Sequence, residues 1–202
     1  MTDVPGVILA GGRATRMGGG DKCLLDLGGR PLLAQVIERL APQVAGLALN
    51  ANGDPARFAG FGLPVLADSV AGHPGPLAGV LAGLDWAAVQ GATAIVTAAG
   101  DTPFFPRDLA ARLAAAAGPE GLALAASPDE TGRLQRHPTF GLWPVALRED
   151  LRAALAAGLR KIVLWTDAHG AGTSVFEATP FDPFFNINTP EDMAAAADLG
   201  AA

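Results

Sequence analysis

A chain of 202 residues, half of them apolar, is long enough for one substantial core and too short for two complete domains. Its formal net charge of −6 speaks against a generic nucleic-acid surface while leaving room for a local cationic pocket. A single cysteine excludes an internal disulfide or a multi-cysteine zinc site, and no apolar run reaches membrane or signal-peptide length, so a cytoplasmic protein is expected.

Val4 to Leu9 reads as a first strand, apolar on both faces like a central parallel strand. It empties into Gly11-Gly12-Arg13 and then Arg16-Met17-Gly18-Gly19-Gly20-Asp21-Lys22. The glycines let the main chain approach an anion closely, and Arg13, Arg16 and Lys22 supply charge. Neither G-x-G-x-x-G nor the P-loop pattern is present. Only two lysines stand against twelve arginines, and one of them, Lys22, lies in this loop. Cys23, beside Leu24 and Leu25, is expected to be a buried small hydrophobe.

Pro31 opens a helix with Leu32, Leu33, Val36, Ile37 and Leu40 on one stripe, and Pro42 closes it. Val44 to Leu49 forms a second strand that ends at Asn50 and Asn52; a short helix follows from Pro55 to Phe58. A third strand from Pro64 to Ala67 ends at Asp68. Beyond His73 and Gly75-Pro76, a helix runs from Leu77 to about Val89, where Gly79 and Gly83 make a smooth face for close approach to the sheet or a ligand. Thr93 to Ala98 is an uncharged fourth strand leading into Gly100-Asp101-Thr102-Pro103, and Pro106 starts the next helix.

In the second half, Leu122 to Ala126 and His137 to Trp143 read as strands separated by a polar excursion from Pro128 to Arg133. Val145 to Ala157 is a helix stopped by Gly158; Arg160 to Thr166 suits helix or strand; Thr173 to Ala178 is a short strand. Thr189, Pro190 and Asp192 approximate a capping box that begins a last helix. The alternation of strand and helix predicts a single α/β domain with a mostly parallel sheet covered on both faces.

Four strands thus finish in glycine-rich or polar clusters: Gly11-Gly12, Asn50 with Asn52, Asp68, and Asp101. Ligands of open α/β sheets bind beyond the carboxyl ends of the strands, so these clusters should face one crevice. A carboxylate accepts hydrogen bonds and an amide both donates and accepts, so Asp68 and Asn50 suit a guanine-like edge. Asp101 has no basic neighbour in sequence. A lone carboxylate opposite a phosphate cradle would repel the ligand unless a cation lay between them, which points to Mg2+ held by Asp101 and phosphates. The plainer alternatives are a cap or turn role for Asp101 and turn roles for Asn50 and Asp68 with Ser69. His73, His137 and His169 lack metal-ligand spacing, and no serine lies in G-x-S-x-G. His137 suits either a structural role or contact with a second substrate.

Leu9-Ala10-Gly11-Gly12, Arg16-Met17-Gly18 and Asp21-Lys22 resemble the signature of nucleotidyltransferases that use NTPs to modify sugar phosphates and cofactors. The similarity is greatest to the molybdenum cofactor guanylyltransferases. It continues through Asn50, Asp68, Gly75-Pro76-Leu77-Ala78-Gly79, Asp101-Thr102-Pro103, His137-Pro138-Thr139 and Asn186-Ile187-Asn188-Thr189-Pro190-Glu191. The resemblance implies a Rossmann-like three-layer sandwich of nucleotidyltransferase type. Residues 1–118 would bind nucleotide and residues 119–202 molybdopterin. Leu9, Ala10, Gly11, Gly12, Lys22, Asn50 and Asp68 would bind GTP, Asp101 would hold Mg2+, and Asn188 would assist near the second substrate or the metal. Arg16, Lys22 and Asp101 would carry catalysis, in which the terminal phosphate of molybdopterin attacks the α-phosphorus of GTP and releases pyrophosphate. The implied partners are molybdopterin-delivering and acceptor proteins in transient contact with a monomer or weak oligomer. The rivals are a molybdopterin cytidylyltransferase and a sugar-phosphate nucleotidyltransferase. Two stretches depart from the family pattern: Ala98-Ala99-Gly100 before Asp101, where Gly100 is expected to loosen the aspartate, and Gln135-Arg136 before His137.

Overall fold

Seven strands, the central ones buried on both faces, assemble into one sheet in the computed structural model, which describes residues 3–11, 20–70, 75–159 and 161–200. The strands are β1 (Gly6–Leu9), β2 (Leu47–Asn50), β3 (Val65–Leu66), β4 (Ala94–Ala99), β5 (Ala123–Pro128), β6 (Leu134–Pro144) and β7 (Gly172–Val175), in the order β3-β2-β1-β4-β6-β5-β7. All pairings are parallel except those of β6, which runs against both β4 and β5. The reversal comes from the polar excursion. Asp129 N–H donates to the Arg133 carbonyl at 2.8 Å, and Gly132, at φ +81°, completes a hairpin turn that sends β6 back beside β5.

The helices are α1 (Leu32–Leu40), α2 (Pro76–Val89), α3 (Leu109–Ala115), α4 (Arg148–Ala156), α5 (Ile162–Ala168) and α6 (Pro190–Gly200). Strand periodicity decides which helices cover which face. Val7, Ile95, Leu124 and Trp143 pack with Leu81 and Leu84 of α2, Leu151 and Leu155 of α4, and Trp165 of α5. Their sequence neighbours Ile8, Val96, Ala125 and Leu142 pack with Leu33, Val36 and Leu40 of α1 and Leu109 and Leu113 of α3. The result is the expected three-layer sandwich. Each fully buried Leu, Ile or Val contributes about 1.5–3 kcal/mol to its stability.

Of the stretch open to two readings, Arg160 to Thr166, the residues from Ile162 onward are helical, in α5 (Ile162–Ala168), pinned by Trp165, whose Nε1–H donates to Asp150 Oδ1 at 2.7 Å; Arg160 lies outside the described residues. The capping box forms: Thr189 Oγ1 accepts from Asp192 N–H at 3.2 Å, and Asp192 Oδ2 accepts from the backbone N–H groups of Thr189 and Asn188. Gly83 faces the sheet, where an added Cβ would lie 2.8 Å from both Ile95 and Val7. No helix among the described residues is long and apolar enough to cross a membrane.

His169 ties three segments on the sheet's other edge: its Nδ1 contacts Glu120 at 2.8 Å and its Nε2 contacts Asp150 at 2.9 Å. Burial opposes its charge, but the hydrogen bonds to Asp150 and Glu120 outweigh burial and raise its pKa. A raised folded pKa stabilises the protein fully below the unfolded value near 6.5, and the gain is lost as pH rises through the folded value. His169→Gln should therefore cost about 0.5–1 kcal/mol at pH 5.5 and less at pH 8.5, in urea unfolding at the two pH values. An equal cost at both would show that the ion pairs contribute nothing.

Candidate active site

Register places the candidate residues side by side. Leu9 at the end of β1 lies opposite Asn50 on β2 and Ala99 on β4. The β2 and β4 ends are therefore about 10 Å apart across β1. This is also where the strand order changes direction, with β2 and β3 on one side of β1 and β4 on the other.

At the β4 end, Lys22 and Asp101 meet. Lys22 Nζ donates to Asp101 Oδ2 at 2.6 Å, to Asn186 Oδ1 at 3.2 Å, and to Asn188 Oδ1. Lys22 is 8% exposed, so its ammonium needs these three acceptors. Asp101 thus has the basic partner that its local sequence lacks, supplied from 79 positions away. It caps no helix, since α3 begins only at Leu109. Gly100 N–H donates to the Leu9 carbonyl at 3.0 Å, and a Cβ there would lie 3.1 Å from Cys23 and 3.3 Å from that carbonyl, so glycine permits the β1–β4 contact. Cys23 is buried as expected. Desolvation, followed by the nearby Asp21 and Asp101 charges, pushes its thiol up to about 12, which leaves it unreactive at neutral pH.

Asn186 and Asn188 reach Lys22 together because the residue between them turns the other way. Ile187 is fully buried against Leu27, Leu32 and Ala196, and its N–H donates to the Asp101 carbonyl at 3.1 Å. In an extended chain its two neighbours then face the crevice. The sequence motif singled out Asn188; the period-two spacing of Asn-x-Asn was the available signal for Asn186.

At the β2 end, Asn50 Nδ2 donates to Asp68 Oδ1 at 2.9 Å and to the Leu66 carbonyl at 3.1 Å. Asn52 Nδ2 donates to Asp68 Oδ2 at 2.7 Å, and Asn52 Oδ1 accepts from Asp68 N–H at 2.9 Å. Asn50 and Asn52 are therefore the two arms of a clamp that holds the Asp68 carboxylate, and the turn reading of Asn50 does not describe these contacts. A carboxylate has about four acceptor positions, which leaves Asp68 two for a ligand.

Gly79 completes this end. A Cβ at Gly79 would lie 2.1 Å from Asn50 Oδ1 and 2.8 Å from Asn50 Cγ. Gly79→Ala should displace Asn50 and weaken, about tenfold, binding of the GTP that the sequence resemblance implies, at a packing cost that the better helix propensity of Ala, about 1 kcal/mol, offsets only in part. Calorimetric GTP titration beside a thermal melt checks this; unchanged affinity would show that Asn50 does not serve the site.

Between the two ends, Ala10 N–H is committed to the Asn50 carbonyl at 2.9 Å, so any main-chain phosphate cradle has its donors from Gly11 onward. Gly12 and Arg16, with Arg13 and His73, lie outside the described residues.

Three hard oxygens, one from Asp101 and two from amides, already converge on a cationic centre, the Lys22 ammonium. That donor set fits a hard dication sharing its other positions with phosphate and water oxygens. Among the described residues, no group of three or more His, Cys, Asp and Glu side chains is placed to hold a metal unaided.

A cleft of about 820 Å3 opens at the C-terminal end of β5, lined by Arg112, Ser127, Glu177, Phe181 and Asp182 among others. Phe181 packs edge-on against Phe104, with ring centroids 5.7 Å apart, so the cleft wall touches the segment that follows Asp101. Ser127 Oγ donates to Asp182 Oδ1 at 3.0 Å and lies 2.7 Å from His137 Nε2. With the hydroxyl proton directed to the carboxylate, His137 carries its proton on Nε2. Burial outweighs the pull of Asp182 and lowers the His137 pKa, so the ring is neutral at pH 7, stacked 4.4 Å from Phe184. Of its two sequence readings, the structural one describes these contacts.

A crevice of this composition at the switch point of a three-layer sheet defines a nucleotidyltransferase-like protein, and residues 6–170 match the MobA-like NTP transferase domain, so the chain belongs to that family. It is 55% identical to the molybdenum cofactor guanylyltransferase of Bradyrhizobium sp. (strain ORS 278), covering 99% of this chain and 94% of that protein. It is 52% identical to the protein of that name from Mesorhizobium japonicum, with coverage of 98% and 96%. Among solved structures, molybdopterin-guanine dinucleotide biosynthesis protein A from Archaeoglobus fulgidus shares the fold with a TM-score of 0.70 at 22% identity, covering 98% of this chain and 99% of that one. A 2-C-methyl-D-erythritol 4-phosphate cytidylyltransferase from Thermus thermophilus does so equally, with a TM-score of 0.71 at 22% identity and full coverage of both chains. The fold therefore does not choose the base.

Proposed function

We propose that this protein transfers GMP from GTP to the terminal phosphate of molybdenum-molybdopterin, giving molybdopterin guanine dinucleotide and pyrophosphate. The observation that carries the reading is the pairing of Lys22 with Asp101 at one end of the crevice and the Asn50–Asp68–Asn52 clamp at the other. Guanine presents two adjacent donors, N1–H and the 2-amino group, and the clamp offers them an oriented carboxylate. The relatives' names supply the second substrate.

The attacking phosphate is already anionic, so the reaction needs alignment and charge neutralisation more than a general base. Asp68 orients the base, and Lys22 places a positive charge at the phosphate end. Asp101 would hold Mg2+, with the Asn188 amide oxygen close by; the metal's charge would offset that of the triphosphate and the departing pyrophosphate. Gly12 and Arg16 would extend the phosphate contacts of Gly11 and Lys22. Residues 1–118 form the nucleotide side, and residues 119–202, with the cleft beside Asp182, the molybdopterin side. The cytoplasmic location expected from the sequence, and transient contact with molybdopterin-delivering and acceptor proteins, belong to this reading.

Supplying molybdopterin and Mg2+ with GTP, CTP, ATP or UTP in turn, and identifying the product, tests the proposal. A guanine dinucleotide formed only with Mg2+ present supports it. Preference for CTP overturns the base assignment, and absence of any dinucleotide overturns the reaction.

A further inference from the structure

Arg57 lies outside both ends of the crevice and touches the supports of each. It sits in the 3-10 turn Pro55–Phe61. Its Nη2 donates to the Asn52 carbonyl and its Nη1 to the Asp54 carbonyl, each at 2.5 Å. On the opposite side, its Nε lies 2.5 Å from Asp21 Oδ2. That contact is an ion pair rather than a hydrogen bond, because no acceptor lies in line with the Nε–H. The guanidinium rests 4.7 Å over the ring of Phe58, which is fully buried. Gly53, at φ +87°, lets the guanidinium run along the turn: a Cβ there would lie 3.2 Å from Nη1.

These contacts close an unbroken path. Asp68 is clamped by Asn52, Asn52 is held by Arg57, and Arg57 is paired with Asp21, the residue bonded to Lys22, which pairs with Asp101. We propose that Arg57 is a positioning residue that couples base recognition at Asp68 to the placement of Lys22, so that a wrong base lowers the rate of transfer as well as the affinity. Arginine suits the position because its rigid planar fork reaches two carbonyls and a carboxylate at once, which the single ammonium of lysine does not do. A base that fails to engage Asp68 leaves the Asn52 turn unloaded, and the strut carries that difference to Asp21 and the neighbouring Lys22. The inference rests on the guanylyl-transfer reading above.

The test compares single-turnover pyrophosphate release from GTP and from inosine triphosphate, which lacks the 2-amino group, with molybdopterin and Mg2+ present. Equilibrium binding of both nucleotides is measured alongside. In the unaltered protein GTP should react about five- to tenfold faster than inosine triphosphate at saturation. In Arg57→Ala and in Asp21→Ala, which cut the strut from either side, that ratio should fall toward one while the difference in affinity persists. Arg57→Lys should not restore it. A ratio of one in the unaltered protein, a ratio unchanged in both alanine variants, or full rescue by lysine would overturn the coupling. GTP binding that Asp68→Asn weakens is the separate control: its absence removes the assignment of the base site, whereas its presence with an unchanged ratio removes only the strut.

Discussion

Replacing Asp101 by asparagine should slow GMP transfer about 10²–10³-fold in a protein that remains folded. The substitution keeps shape and retains an oxygen able to accept from Lys22, and it leaves the Ile187–Asp101 main-chain bond at 3.1 Å untouched. What it removes is the negative charge by which Asp101 would hold a hard cation in the proposed reaction. The structural cost should be about 1–2 kcal/mol, because Asn186 and Asn188 still accept from the lysine. Single-turnover pyrophosphate release, read beside a urea melt, separates the two effects. Undiminished turnover would return Asp101 to a structural role as the counter-ion of Lys22.

Lys22→Ala should act with the opposite sign on nucleotide binding in metal-free buffer. It leaves Asp101 and two amide oxygens facing the crevice without their shared cation, so the phosphate end becomes more negative by one charge. GTP affinity should fall about 10–10²-fold, as expected for losing a charge-assisted contact in a poorly solvated site. Asp101→Asn, which removes a negative charge, should instead tighten metal-free GTP binding. Calorimetric titration of both variants without added metal decides this. The same direction of change in the two would show that the phosphates do not approach this pair.

The strand ends that carry the candidate site were legible because they are written in short range. Apolar runs that stop at Gly11, Asn50, Asp68 and Asp101 announce strand ends, and strand ends of parallel sheets share an edge. The partnerships were not legible. Lys22 finds its acceptors 79, 164 and 166 positions away, distances over which local pattern carries no information. For the same reason Asp101 reads as a lone carboxylate in sequence and as half of an ion pair in the fold. Asn52 reads as part of a strand-end cluster and Arg57 as part of a short helix, and neither shows its partner until the turn is folded against Asp68 and Asp21. Gly79 declared close packing, but only the crossing of α2 over β2 shows that the neighbour is the Asn50 amide.

The sequence by itself therefore determined the alternation of elements, the two-faced burial of the strands, and the residue types gathered at their ends, since periodicity and chain-breaking residues act within a few positions. The tertiary structure alone decided that β6 runs backwards and that Arg57 joins the Asn52–Asp54 turn to Asp21. It also decided that the lysine of the glycine-rich loop sits in an oxygen cluster built from distant segments. These outcomes depend on how packed layers bring remote side chains within hydrogen-bonding distance, and burial then forces each charge to find a partner.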